Sequence, residues 1–307
     1  MKGVNSKNIA KIITDKVIEG LQNNPGKWIK SWSSTSRPRN LFTGNEYNGC
    51  NWLWLSMVRG GKNVGDSNKW LTYNQAKQMT GLEQPIKRGS EGQPIILFKP
   101  FKVSKIENNE VKEKMVPMMR VFQVFNRDVV EGLPKEIIPD EEENKLEEVE
   151  GVVRNHKIDV KNGYDGACFI PSQDVIHMPK ITDFRSTEDY YATLLHEMTH
   201  WTGHKSRLDR DMSTNFGGSS YAFEELVAEL GSAMLCNNFN IEGKLQHTEY
   251  IASWLKALND DEKAILKASA KAQKAFDYLI GDNNGKSRTT GNVSENRSST
   301  QRTNVLY

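Results

Sequence analysis

Residues 193–204 read TLLHEMTHWTGH, and this stretch holds three of the chain's six histidines. Within it His196, Glu197 and His200 form the pattern HExxH. On an α-helix, residues four apart share a face with Cβ atoms about 5–6 Å apart, so both imidazoles can reach one ion. The flanks support a helix over 187–203: Ser186 or Thr187 supplies a cap, Glu188 and Asp189 fall in the first turn, and Leu194, Leu195 and Met198 give a buried side. Glu197, beside the first histidine, is placed to handle the proton of a water at such a site. A zinc site needs a third protein ligand, so this helix must pack against another element that carries one.

His204 is not that ligand. Eight residues along a helix advance about 12 Å and rotate by roughly 80°, which takes it off the His196–His200 face. It lies just past a helix end at Gly203, where it either caps carbonyls or lines the site from outside the ligand set. Ser206 stands where a metzincin would carry its third histidine, which excludes that class on spacing. The stretch YAFEELVAELGSAML offers better candidates. Phe223, Leu226, Val227 and Leu230 make an apolar stripe, and Glu225 and Glu229 fall four apart beside the small Ala228 and Ser232. HExxH followed about 25 residues later by ExxxE resembles the gluzincin plan, in which the first glutamate binds metal and the residue four later orients a histidine. That resemblance assigns Glu225 as ligand and Glu229 to the outer ring, and leaves Glu224 the weakest candidate of the three; His204, by its place past the helix end, is a further candidate for the outer ring. Two imidazoles and a carboxylate with an open position suit Zn²⁺, with Mn²⁺ or Co²⁺ as alternatives. His156, His177 and His247 are isolated and read as structural.

Charge divides the chain in two. Residues 1–130 carry 21 Lys and Arg against 10 Asp and Glu, and residues 131–307 carry 20 against 29, giving net charges of +11 and −9. The first part suits a polyanion and the second does not. Trp28, Trp32, Trp52, Trp54 and Trp70 also fall in the basic part, interleaved with Lys27, Lys30, Arg37, Arg39, Arg59, Lys62 and Lys69. Aromatic faces beside cations are what unpaired nucleic acid requires, because bases stack and cations track phosphates. Trp28, Lys30, Trp32, Arg39, Trp70, Lys87 and Arg88 are the candidate contacts for single-stranded DNA, whereas Trp52 and Trp54 lie in an apolar run and at least one of them belongs to the core.

The expected fold class is α+β. Helical spacing marks SKNIAKIITDKVIEGLQ, CNWLWLSMVRGG and TYNQAKQMTG, and β-branched and aromatic residues mark QPIILFKPFKV and MMRVFQVFNRDVV as strands. Beyond an acidic run, GVVRNHKIDVKNG and GACFIPSQDVIHMP read as strands with turns, and helices follow at 187–203, 219–237, 246–258 and 261–280. This gives a basic aromatic unit over 1–130, an acidic connection over 131–150, a metal-site domain with a small sheet over 151–280, and a polar tail over 281–307 expected to be disordered. Cys50, Cys168 and Cys236 are odd in number and unpaired in spacing, and no apolar run reaches signal-peptide or bilayer length. The expectation is a cytoplasmic protein without membrane association.

Several motifs in order resemble the ArdC antirestriction family. GKWIKSW, RPRNLFTGNEYNGCNWLWL, KWLTYNQAKQMTG and IKRGSEGQPIILF are similar to its N-terminal domain, which also occurs in TraC-type conjugative primases. ACFIPSQDVIHMP, YYATLLHEMTHWTGH and EELVAELGSAML are similar to its zinc-metallopeptidase-like domain. The resemblance spans about residues 6 to 280 and implies a single-stranded DNA-binding domain joined to a gluzincin-like peptidase domain. It also implies carriage on a mobile element, protection of incoming DNA from host restriction, and a host restriction enzyme or other protein as partner or substrate. One departure is Ser31, where family members often carry proline before the tryptophan at 32.

Overall fold

The computed structural model describes residues 6–23, 37–107, 110–134, 146–212, 219–241, 251–261 and 263–281. Trp28, Lys30, Trp32, Ser31 and the tail after 281 lie outside the described residues. The first helix, α1 (Ser6–Asn23), buries Ile13, Val17 and Leu21, one residue per turn along a single stripe. Helix α2 (Gly49–Val58) buries Trp52, Leu53, Trp54 and Leu55 in succession, so it is enclosed on all sides. Both tryptophans of this run are core.

A four-stranded sheet has the order β1 (Arg39–Asn40), β2 (Lys69–Thr72), β4 (Glu110–Asn126), β3 (Gln93–Glu107). β1 and β2 are parallel, and the other two pairs are antiparallel. The two strands expected from sequence are therefore one long hairpin. The free edge of β3 is partly satisfied by Asn51 of α2, whose side chain donates to Ile96 O at 2.7 Å and accepts from Ile96 N at 2.8 Å. On β2, alternation sends Trp70 into the main core and Leu71 into a smaller cluster with Ala76 and Val130. Ala76 belongs to α3 (Tyr73–Thr80), which starts on a Thr72–Gln75 capping box and ends on Gly81 at φ +72°.

In the second unit, GVVRNHKIDVKNG is mostly not strand. Residues 146–156 form α4 (Leu146–His156), and only β5 (Asp159–Asn162) is extended. The acidic run explains the difference: it places Glu147 and Glu148 in the first turn opposite Arg154 and His156 in the last, which favours a helix dipole, while Val149 and Val152 are buried at helical spacing. The expected acidic connection thus ends inside a helix. β5 joins β6 (Cys168–Ile170) and β7 (Val175–Met178) in a sheet of order β5-β7-β6, with β5 parallel and β6 antiparallel to β7. Four helices follow: α5 (Thr187–Thr202), α6 (Ser219–Asn238), α7 (Ile251–Asp260) and α8 (Ala264–Ile280).

The units share one apolar cluster, which runs from Trp52, Trp70 and Val124 to Leu195, Leu230 and Phe276. Helix α8 packs against α6, α5 and α2, and so touches both units. Arg37 joins them in a second way. It is buried, donates to Gln273 Oε1 at 3.3 Å and Asn48 Oδ1 at 3.1 Å, and lies 4.4 Å from the Phe276 ring centroid. Gln273 Oε1 also accepts from Gly49 N at 3.1 Å, which ties the start of α2 to α8. Among the described residues, no helix is long and apolar enough to cross a membrane.

Candidate metal centre

Helix α5 begins at Ser186, whose hydroxyl accepts from Asp189 N at 3.1 Å, and ends at Gly203. Every residue from Thr193 to Thr202 is buried, so the helix runs through the core. Its hydroxyls are satisfied locally: Thr199 donates to Leu195 O at 2.9 Å and Thr202 to Thr199 O at 2.6 Å. Helix α6 crosses it closely. A Cβ on Gly231 would lie 2.5 Å from Thr199 Cγ2, and Ser232 donates to Ala192 O at 3.2 Å. This close approach brings the glutamates of α6 to the histidines of α5.

His196 Nε2 and His200 Nε2 lie 3.2 Å apart, the first 3.5 Å from Glu225 Oε2 and the second 3.5 Å from Glu225 Oε1. Two bonds of about 2.0–2.1 Å meeting at a tetrahedral angle separate their donor atoms by about 3.3 Å, so this triangle fits one divalent ion. Among the described residues these three form the only group of three or more His, Cys, Asp and Glu whose ligand atoms all lie within 4.8 Å of one another. The third ligand expected from sequence is thus brought to the two histidines.

The outer ring differs from the expectation. Glu229 faces His196 Nδ1 at 3.6 Å. His204 does not join the ring: it is half-buried, its Nδ1 accepts from Ser206 N at 3.2 Å, and its ring meets Phe169 edge-on with centroids 6.4 Å apart. Its place is taken by Glu224, whose Oε1 accepts from His200 Nδ1 at 3.2 Å. Glu224 is held in turn by Arg210, through Nη2 to Oε1 at 2.8 Å and Nε to Oε2 at 3.0 Å. Neither residue carries a sequence signal beyond Glu224 adjoining Glu225. Glu197 points at the small sheet, where its Oε2 accepts from Phe169 N at 2.7 Å on the free edge of β6.

Electrostatics follow this geometry. Burial would lower His200, but hydrogen bonds to Glu224 and Glu225 outweigh it and push the imidazole up to about 10. Burial lowers His196 against the pull of Glu225, and charge on His200 adds to the fall. Burial would raise Glu225, yet hydrogen bonds from both histidines hold it well below the usual carboxylate range. A dication held here would compete with the proton that these contacts favour on His200. Cys168 is no activated nucleophile, because burial and then the Glu197 charge push its thiol up.

The predicted nucleic-acid contacts fare unequally. Trp70 is fully buried, so its ring offers no face to a base. Lys87 is exposed but donates to Asp128 O at 2.7 Å, and Arg88 is exposed. Arg39 is partly exposed, and its Nε is buried without a hydrogen-bond partner.

The fold is that of a zincin-like domain joined to a basic α+β unit. A family described as zincin-like metallopeptidase matches residues 147–271, and the N-terminal domain of the anti-restriction factor ArdC matches residues 7–125. The crystal structure of the antirestriction protein ArdC from plasmid R388, metal-free, superposes with a TM-score of 0.73 at 34% identity, covering 89% of this chain and 96% of that one. Its Mn(II)-bound form gives 0.71 at 35% identity, covering 88% and 96%. The uncharacterized protein y4eC of Sinorhizobium fredii is 33% identical over 281 residues, 87% of this chain and 90% of that protein. The DNA primase TraC of Escherichia coli is 33% identical over 290 residues, 87% of this chain, although the chain spans only 26% of the primase. The chain belongs to the ArdC antirestriction family.

Proposed function

We propose that this protein protects incoming DNA of a mobile element from host restriction, binding single-stranded DNA with its basic unit and hydrolysing a protein substrate at a zinc centre on the other. The supporting observation is the triangle of His196, His200 and Glu225, with Glu197 beside it, in a unit that shares its core with the ArdC N-terminal domain. Held by those three residues, a zinc ion would supply Lewis acidity and so make a water proton easier to remove. The Glu197 carboxylate takes that proton and returns it to the leaving amine. Phe169 N–H fixes the carboxylate while it waits, and the surrounding burial excludes competing water. On the basic unit, Arg39 and Arg88 hold phosphates, and Trp28, Lys30 and Trp32 are kept as further contacts on their sequence alone.

A second reading keeps the metal fold as a scaffold, with protection coming from masking DNA or engaging a restriction subunit. It draws on the same shared core, which makes the metal domain a structural support for the basic unit. Glu197→Ala separates the two. The enzymatic reading expects loss of restriction protection with DNA affinity retained; undiminished protection in a variant that still binds DNA sinks it.

A further inference from the structure

Between α5 and α6, residues 203–212 fold back over the end of the HExxH helix. Leu208 N donates to Thr202 O at 3.0 Å and Arg210 N to Gly203 O at 2.9 Å, which closes the strap on the helix. Gly203 permits it, because a Cβ there would meet Met212 Sδ at 2.5 Å and Arg210 Nη2 at 2.8 Å. The strap carries the Arg210 side chain, 3% exposed, onto Glu224, 7% exposed. Arg210 also donates to Thr202 Oγ1 at 2.8 Å and Thr199 O at 2.6 Å, so its guanidinium is locked to the last turn of α5.

We propose that Glu224, clamped by Arg210, is the positioning residue that orients His200 for metal binding, so that the strap sets the affinity of the site. This rests on reading His196, His200 and Glu225 as the metal ligands. A buried ion pair is a poor source of stability, since desolvation of the two charges cancels most of their attraction, and an apolar pair of similar volume would serve a core as well. The pair's geometry instead serves His200. Glu224 and Glu225 are consecutive on α6 and project about 100° apart. One therefore meets Nδ1 and the other meets Nε2 of the same ring. Donation from Nδ1 to Glu224 leaves the Nε2 lone pair directed at the site.

The test is zinc affinity of the full chain by chelator competition, with melting temperature in EDTA measured alongside. Glu224→Ala is expected to raise the zinc Kd about 10–100-fold. Glu224→Gln, whose amide oxygen still accepts from Nδ1, recovers most of that loss. A purely structural role predicts a lower melting temperature with unchanged Kd, and a Kd for Glu224→Ala within twofold of wild type overturns the proposal. Because Glu224→Ala strands a buried charge, zinc-loaded wild type labelled with ¹⁵N at histidine gives a readout that needs no variant. There, His200 is expected to coordinate through Nε2 with an exchange-protected Nδ1–H, and coordination through Nδ1 overturns the proposal. His200→Ala binding zinc as wild type does, or wild type binding none, instead removes the ligand assignment beneath it.

Discussion

Gly231→Ala tests whether the metal site depends on how closely α6 approaches α5. The added Cβ would lie 2.5 Å from Thr199 Cγ2, 2.9 Å from its Oγ1 and 3.3 Å from its Cβ. Carbon atoms pack at about 3.5–4.0 Å, so roughly 1 Å of separation must be found. Thr199 cannot swing aside cheaply: it is β-branched, fully buried, and bonded to Leu195 O. The helices must part, and Glu225 moves away from both histidines. Overpacking costs about 1–3 kcal/mol, against a gain of about 1 kcal/mol for replacing a helical glycine, so the net change is a destabilisation of about 0–2 kcal/mol. The larger effect is on the site, where disturbing what holds the ligands is worth about 10–100-fold in metal affinity. Zinc Kd and melting temperature in EDTA measure the two effects, and Thr199→Ala in the same chain should restore affinity by making room. A Gly231→Ala protein that melts higher and binds zinc as wild type does would refute this account of the helix crossing.

Glu197→Gln should retain zinc while losing about 10²–10⁴-fold in peptide hydrolysis, measured as kcat on whichever substrate wild type cleaves. In metal-free protein, His200 is raised to about 10, above its ordinary 6.5. Its contribution to stability is therefore complete below pH 6.5 and lost as pH climbs to 10, so melting temperature in EDTA should fall across that window. Zinc affinity should rise over the same window, about tenfold per pH unit, because the ion displaces that proton. For DNA, Arg39→Ala and Arg88→Ala should each weaken single-strand binding across sequences and shrink the salt slope by about 0.7, read by fluorescence anisotropy. Trp70→Ala should lose about 3–5 kcal/mol of stability through its buried ring, which thermal unfolding would register.

Local patterns were legible where chemistry and periodicity agree. HExxH, the Ser186 cap and the apolar side of α5 specify that helix, the apolar stripe of α6 marks Glu225 and Glu229 as candidates, and resemblance to the gluzincin plan chooses Glu225. Three things were not legible. Trp70 looked like an aromatic beside cations, but alternation on β2 turns it inward, and strand facing depends on which layer covers which side. Residues 151–156 carry β-branched valines that suggest strand, yet acids upstream and bases downstream stabilise helix. Glu224 and Arg210 meet only because the strap returns over α5, a tertiary contact that no periodicity encodes.

The most direct test of the ligand assignment is the anomalous signal from zinc in crystals of the full chain. The account predicts a single peak about 2.0–2.2 Å from His196 Nε2, His200 Nε2 and a Glu225 oxygen, with Glu224 and Glu229 remaining on the outer imidazole nitrogens. A peak coordinated by Glu224 or Glu229 in place of Glu225, or lying away from both histidines, would contradict it.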